Sequence, residues 1–420
     1  MKSKQLALLG GPPIRTRAFP AWPVFGKAEE LRLVRTLRSG KWGKLHGDEV
    51  DTFEKRFAAM HECKHGIGVV NGTVSLRIAL MAAGLQADDE VIIPPYTFFS
   101  TASAVIESNA VPVFADIDLD TFNLDPKAIR AAITRRTRAI IPVHFAGLVS
   151  DMDPIMALAK KYKLVVIEDA AHAHGASYKN RAAGSLGHAA SFSFQSSKNL
   201  TAGEGGILTT NDDTLAETFR SLHNCGRVPN GIWYEHHVIS GNYRMGEFQG
   251  AVLNAQLERL EGQTARRDRN GQYLAAKLSG LPGIRPQKRP AYCTRHSYHL
   301  FMLRVVPAEF GVSRAVLVKA LQAEGIPCSA GYGFSLHQQP MFRNKAFGPY
   351  LAKSSARLDY GETKCPNSDL LCREQCIWLE QNLFLGSRPD MDDIARAFHK
   401  IHEHRTALND HGKAGHFRAA

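Results

Sequence analysis

A single lysine stands between an alternating strand pattern and a glycine-rich turn. It is Lys198, in the stretch SFSFQSSKNLTAGEGG (residues 191–206), where Ser193 and Gln195 alternate with two phenylalanines. Most lysines serve solubility on the surface, but one that is desolvated or lies near other cations loses its proton more easily. Such a lysine can form a Schiff base with a carbonyl. The stretch therefore offers a candidate amine nucleophile with polar neighbours.

An acidic pair ends a second apolar run. In LVVIEDAAHAHG (residues 164–175), Glu168 and Asp169 follow four apolar residues, and His172 and His174 come next. A carboxylate at the end of a buried strand needs a partner, because burying a charge alone is costly. A protonated ring nitrogen of a ligand would be such a partner.

Two further stretches contain residue types that bind ligands. In VVNGTVSLRIAL (residues 69–80), Gly72 and Thr73 open an apolar helix whose first N–H groups suit a phosphate, although ordinary capping explains Thr73 at least as well. In PPYTFF (residues 94–99), Tyr96, Phe98 and Phe99 could offer a flat face to an aromatic ligand or pack in the core. Lysine, carboxylate, aromatic face and phosphate cradle together match what pyridoxal phosphate requires.

The elements around these residues must bring them together. Short β-rich runs alternate with helical stretches, which is typical of a mostly parallel sheet covered by helices. Ligands of such sheets collect at the carboxyl ends of the strands, where the candidate residues stand. The predicted strands are residues 91–94, 111–117, 139–145, 164–169, 189–194 and 205–210.

Beyond about residue 245 a long helical stretch leads to a smaller α+β region. Its clearest elements are a strand within residues 296–306 and a glycine-closed helix at 313–325. We predict an α/β protein with an arm at residues 1–30, a large domain at 31–262, a small C-terminal domain at 263–403 and a flexible, frayed tail at 404–420.

The composition is that of an ordinary soluble protein, with 44% apolar and 22% charged residues. No apolar run is long enough to suggest a membrane span. The seven cysteines are odd in number and irregularly spaced, which favours reduced thiols and a cytoplasmic location. Cys372 and Cys376 could share a helix face, but their spacing favours packing over zinc, so no metal is predicted.

Basic residues exceed acidic ones by 52 − 40 = 12. This positive charge is compatible with a hypothesis from another functional class, namely a basic regulatory or nucleic-acid-binding protein built on a cofactor-binding scaffold. The clusters at residues 133–138 and 263–270 are more typical of solvated helix faces, and no recognition motif accompanies them. We therefore predict neither a nucleic-acid nor a membrane partner.

In order and spacing, the four motifs resemble the DegT-type family of pyridoxal-phosphate aminotransferases, which aminate keto-sugars and keto-cyclitols. The resemblance covers roughly residues 20–390 and includes GNYRMGEFQGAVLNAQL at 241–257. It implies the aspartate aminotransferase fold, known as fold type I. This fold has a large domain with a seven-stranded, mostly parallel sheet flanked by helices, and a smaller C-terminal α+β domain.

The resemblance also implies roles for residues. Lys198 would hold pyridoxal 5'-phosphate and shuttle the substrate proton, and Asp169 would keep the pyridine nitrogen protonated. Phe98 would stack on the ring, with His172 packed beside it. The phosphate would be bound by Gly72, Thr73, Ser193 and Gln195, and by Asn242 reaching across from a neighbouring subunit. The implied enzyme is therefore a homodimer with shared active sites.

Shorter stretches resemble a narrower subgroup, the 3-amino-5-hydroxybenzoate synthases and the glutamine:scyllo-inosose aminotransferases. Residues 146–149 read AGLV where nucleotide-sugar members have a polar turn. We predict an aminotransferase that moves an amino group from glutamate or glutamine to a keto-sugar or keto-cyclitol. The alternative with the same cofactor is a synthase-like enzyme that eliminates water and aromatises a ring.

Overall fold

The structure is a computed structural model that describes residues 5–351 and 358–413. Its strands in chain order are β1 His65–Val69, β2 Glu90–Ile93, β3 Val111–Phe114, β4 Thr137–Ile140, β5 Val165–Asp169, β6 Ser177–Tyr178, β7 Arg181–Ala182, β8 Ala189–Ser193, β9 Gly206–Thr210, β10 Ile284–Pro286, β11 Cys293–Arg295, β12 Leu300–Val305 and β13 Cys376–Glu380.

Helices separate most of these strands. They are α1 Lys27–Ser39, α2 Glu49–Met60, α3 Gly72–Ala82, α4 Ser100–Glu107, α5 Pro126–Ala132, α6 Met152–Tyr162, α7 Asp213–His223, α8 Glu247–Leu278, α9 Pro307–Phe310, α10 Arg314–Ala323, α11 Pro340–Arg343, α12 Pro366–Leu370, α13 Arg388–Glu403 and α14 Arg405–Lys413. No helix within the described ranges is both long and apolar enough to cross a membrane.

Seven strands form the large sheet, in the order β1-β9-β8-β5-β4-β2-β3. Strand β9 runs antiparallel to both of its neighbours, and the pairs among β8, β5, β4, β2 and β3 are parallel. The predicted α/β fold with a seven-stranded, mostly parallel sheet is confirmed. The consecutive apolar residues of these strands follow from burial on both faces.

Alternate residues of the strands pack against different helices. Ile92 and Phe192 belong to a core with α2, α5, α6 and α8. Val91 and Ile93 belong to a second core with α3, α4 and α7. The helices therefore cover both faces of the sheet. The ends of the strands are left uncovered, and a ligand site can form there.

The C-terminal part is built on a three-stranded antiparallel sheet, β10-β12-β13, with its own core. Helix α8 has 32 residues and runs unbroken across residue 262, the predicted domain boundary. The domain limits drawn from the sequence stay a prediction. The seven cysteines are free, and Cys372 and Cys376 do not share a helix face, because Cys376 begins β13.

The sequence predicts a frayed tail from residue 404, and for residues 405–413 this is wrong, because they form α14. Leu408 is fully buried in the C-terminal core, and Asn409 Nδ2 donates to Gly311 O at 2.6 Å. Because Leu408 is a single buried apolar residue in a polar segment, the sequence shows no helical periodicity there. Residues 414–420 lie outside the described residues.

The basic cluster at residues 263–270 is predicted to be a solvated helix face, and this is wrong for part of it. Arg266 and Arg269 are exposed, but Arg267 is completely buried. Adjacent residues of a helix point about 100° apart, so one arginine of a basic run faces the protein while its neighbours face water.

Replacing Leu408 by alanine should lower the free energy of unfolding by about 2–3 kcal/mol, because the side chain fills the core beneath α14. Denaturant unfolding of the full chain measures this loss. The matched control is Thr406→Ala on the exposed face of the same helix, which should change the free energy by less than about 0.5 kcal/mol. Equal effects of the two substitutions would show that α14 does not dock through Leu408.

Candidate active site

A cavity of about 600 Å³ lies at the carboxyl ends of the strands of the large sheet. Residues just after β1, β2, β5 and β8 form one side of it, as the sequence predicts for ligand sites of such sheets. The predicted residues that line it are Gly72, Thr73, Phe98, Asp169, His172, Ser193, Gln195 and Lys198.

Lys198 stands in the loop after β8, with its backbone N–H bonded to Gln195 O at 2.9 Å. Its side chain is half-buried, and no described group accepts a hydrogen bond from Nζ. Burial lowers the pKa of Lys198 to about 8, and the negative charge of Asp169 partly opposes this shift. Roughly a tenth of such an amine is neutral at pH 7.

Asp169 is the last residue of β5 and is buried at the cavity wall. Thr101 Oγ1 donates to Oδ2 at 2.8 Å, and Ala171 N donates to Oδ1 at 3.3 Å. Burial raises the pKa of Asp169, while these hydrogen bonds hold it down. Thr101, in the first turn of α4, therefore fixes the orientation of the carboxylate.

The neighbouring carboxylate, Glu168, faces away from the cavity and is completely buried. His144 Nε2 lies 2.8 Å from Oε2, and Ser150 N donates to His144 Nδ1, so the imidazole donates to Glu168 through Nε2. Although burial acts to raise it, the pKa of Glu168 is lowered by His144 and by backbone N–H donors. The donors are Gly184, Leu186 and Gly187. The partner of Glu168 is therefore a protein side chain and not a ligand.

Two histidine rings pack against each other at the cavity wall, with their planes tilted by 30°. The centroids of His172 and His299 are 4.1 Å apart. Ala146 N donates to His172 Nδ1 at 3.2 Å, which leaves the proton of His172 on Nε2, and His299 Nδ1 lies 3.2 Å from Asn199 Oδ1. Burial, with Lys198 nearby, lowers the pKa of both histidines well below the usual range. Both rings are neutral at pH 7.

A cradle for an anion forms where α3 begins. Asn71 caps the helix, so the N–H groups of Gly72 and Thr73 have no partner inside it. A Cβ at Gly72 would lie 2.8 Å from Ser193 Cβ, so glycine is required for this close approach. Thr73 Oγ1 lies 2.6 Å from Ser100 Oγ, which adds two hydroxyls to a positive helix end.

Phe98 lines the cavity and is nevertheless 59% exposed. Tyr96 of the same stretch is fully buried, and its hydroxyl donates to Cys376 Sγ at 3.1 Å, while Phe99 is exposed but does not line the cavity. Phe98 is therefore the side chain with a ring face available for stacking.

Asn242 is exposed and lies outside this cavity, with its Oδ1 accepting from Arg244 N at 3.4 Å. Sequence reasoning missed the wall supplied by the arm and the C-terminal part of the chain, although the polar residues directly after β13 carry the same signal as those after β5. The missed lining residues include Trp22, Glu204, His299, Ser329, Tyr332, Trp378, Glu380, Gln381 and Asn382.

The cavity fits pyridoxal phosphate. Lys198 Nζ has no acceptor among the described residues, Asp169 offers a carboxylate and Phe98 a ring face. The close approach of Gly72 to Ser193 places the start of α3 and the Ser193 hydroxyl side by side in the lining, where a phosphate can bind. Within the described ranges, no three His, Cys, Asp or Glu side chains are grouped as metal ligands. This site on this sheet defines the class as a fold type I transferase.

The chain belongs to the DegT/DnrJ/EryC1/StrS aminotransferase family, whose model matches residues 25–379, and it is an aminotransferase. It is 38% identical to 3-amino-5-hydroxybenzoate synthase of Amycolatopsis mediterranei, over 90% of this chain and 98% of that protein. It is 37% identical to L-glutamine:2-deoxy-scyllo-inosose aminotransferase of Streptomyces kanamyceticus, over 97% of this chain and 99% of that protein.

Among solved structures, the fold matches 3-amino-5-hydroxybenzoic acid synthase with a TM-score of 0.83 and 36% identity, covering 93% of this chain and 100% of that one. The predicted resemblance to the DegT-type family is confirmed.

The lowered pKa of Lys198 predicts that its reactivity as an amine rises with pH over a defined range. Labelling of Lys198 in cofactor-free protein by an amine-acylating reagent should rise between pH 7 and 9, with a midpoint near 8. Asp169→Asn should move the midpoint lower, because the charge that favours the ammonium is lost. Peptide mass spectrometry measures both, and the same peptide in denatured protein, with a midpoint near 10.4, is the control. A folded-state midpoint above 10 would contradict the burial argument.

Proposed function

We propose that this chain is a pyridoxal-phosphate-dependent aminotransferase that moves an amino group from glutamine or glutamate to the carbonyl of a keto-sugar or keto-cyclitol. The observation that carries the proposal is Lys198, an unpaired amine with a pKa near 8 that shares a cavity with Asp169. The likeness over nearly the whole chain to L-glutamine:2-deoxy-scyllo-inosose aminotransferase supports the choice of substrates.

In the proposed mechanism the cofactor, when bound, supplies an electron sink. Lys198 would hold it and, once released, would move the proton at the reacting carbon of the substrate, a task that a pKa near 8 suits. Asp169, oriented by Thr101, would pair with the pyridine nitrogen. His172 would pack beside the ring, and because burial lowers its pKa well below the usual range, it would be a weaker base than Lys198.

The phosphate of the cofactor is assigned to the start of α3. The N–H groups of Gly72 and Thr73 and the hydroxyl of Ser193 surround the space, with Gln195 beside them. Phe98, which lines the cavity, would cover one face of the ring. These groups bind and orient the cofactor without moving protons.

We also propose a homodimer in which Asn242 of one subunit reaches the phosphate site of the other. The segment before it carries apolar side chains that are far more exposed than a monomer's surface requires, up to 94% for Ile239. A second copy would cover them. They are Val228, Ile232, Trp233, Tyr234, Val238 and Ile239. The cytoplasmic location is likewise a proposal, and the free cysteines support it.

The lining of the cavity favours a neutral, polyhydroxylated acceptor. Lys198 is the only lysine or arginine among the described residues that line it, so an acceptor that carries phosphate groups would gain little from charge-assisted hydrogen bonds there. Trp22 and Trp378 offer apolar faces, and Glu204 and Glu380 can accept hydrogen bonds from hydroxyls. The apolar turn at residues 146–149 is fully buried and is absent from the lining.

A second candidate is the 3-amino-5-hydroxybenzoate synthase type of reaction, which the 38% identity to that enzyme favours. Both candidates use the same lysine and cofactor. They differ in two measurable ways, since only the synthase forms an aromatic amine from its ring substrate and only the aminotransferase consumes a separate amino donor. Product absorbance with and without glutamine separates them.

Lys198→Ala should abolish turnover in both half-reactions, because the variant lacks the group proposed to move the proton. The cofactor spectrum during incubation with glutamine or glutamate, and then with keto-cyclitols and keto-sugars, reports each half-reaction. Thr406→Ala is the control for handling and loading and should keep the native rate. Native-rate interconversion of the cofactor forms by Lys198→Ala would overturn the assignment.

A further inference from the structure

The most unusual charge near the cavity is Arg267, in the middle of α8. It is completely buried, yet no described carboxylate pairs with it. Its Nη1 has no hydrogen-bond partner among the described residues. Burial lowers the pKa of Arg267 to about 9, so the guanidinium keeps its charge at pH 7. A buried cation without a counter-ion is costly, so an anionic ligand bound nearby would offset part of that cost.

The acceptors that Arg267 does have belong to one residue. Nη2 donates to Gln381 Oε1, and Nε donates to Gln381 O at 3.4 Å. Because the side-chain oxygen of Gln381 is taken by the guanidinium, its Nε2 is left as a donor, and no described atom accepts from it. Gln381 lines the cavity. Arg267 therefore fixes Gln381 with its amide donors free for a ligand and polarises that amide with a full positive charge.

The arm completes this corner of the cavity. The Trp22 ring lies 5.3 Å from Arg267 Cζ, and Trp22 Nε1 donates to Ser196 O at 2.9 Å, two residues before Lys198. Trp22 thus shields the guanidinium from water and ties this corner to the lysine loop. An anion bound by the Gln381 amide would lie in a region of low dielectric constant, where the positive charge of Arg267 is poorly screened.

We propose that Gln381, held and polarised by the positioning residue Arg267, binds the carboxylate of the amino-acid donor. This inference rests on the proposed function, since it names the subsite of the donor. A keto-cyclitol or keto-sugar has no anionic group, so an acceptor gains little from the charge. The donor must present a carboxylate, and Lys198, the only lysine or arginine among the described lining residues, is assigned to the cofactor.

The decisive experiment compares the two half-reactions in Arg267→Met, which keeps the bulk of the side chain and removes the charge. The concentration of glutamine or glutamate at half-maximal rate should rise roughly tenfold to a hundredfold, the loss expected for a charge-assisted hydrogen bond. The same quantity for the acceptor should stay within about twofold. Arg266→Met, the exposed neighbour on the same helix, should change neither.

Direct binding separates charge recognition from activity. Calorimetric titration of the holoenzyme with glutaramate, which is glutamine without its amino group, is compared with the neutral diamide glutaramide. The native protein should prefer glutaramate, and Arg267→Met should lose the preference. Gln381→Glu gives Arg267 a counter-ion, so this variant should stay at least as resistant to heat as the native protein while losing glutaramate binding.

Three results would overturn the inference: an unchanged donor requirement in Arg267→Met, an equal loss for donor and acceptor, or full glutaramate binding by Gln381→Glu. Failure of the proposed function looks different, because the native enzyme would then turn over with neither glutamine nor glutamate.

Discussion

Burial of an amine beside a carboxylate is the constraint on which the site depends. Desolvation pushes Lys198 toward its neutral form and Asp169 toward its protonated form, and each group resists the shift of the other. That balance requires two strand ends to meet in a place that is partly shielded from bulk water. The parallel run of β5 and β8 in the large sheet supplies the meeting point, and Thr101 holds the carboxylate there.

A second layer of polar groups keeps this arrangement fixed without adding charge to it. Glu168 lies on β5 beside Asp169, but its carboxylate accepts hydrogen bonds from His144 and from backbone N–H groups of the loop before β8. The packed rings of His172 and His299 are held neutral, so they fill the wall without competing for protons. The chemistry is thereby left to one amine and one carboxylate, and this separation of roles is what a proton transfer at a defined atom requires.

The sequence predicts the half of the site that one sheet builds. Strand ends are visible as apolar runs followed by polar residues, so Asp169, Lys198 and Gly72 stand out by local pattern alone. The opposite wall was missed because His299 and Gln381 lie about a hundred residues or more along the chain from Lys198, and no local pattern joins them. The rotation of α8 decides which arginine of a basic run is buried, and the single apolar contact of Leu408 fixes α14. Both depend on tertiary packing that spacing alone does not encode.

The unbroken course of α8 has a mechanical consequence. At 1.5 Å per residue its 32 residues span about 48 Å, from the loop near Asn242 to the C-terminal sheet, with Arg267 partway along. Bending α8 at residue 262 would break several backbone hydrogen bonds inside a packed core. Because the helix is continuous, it joins the loop near Asn242 rigidly to the part of the wall where Arg267 bonds to Gln381.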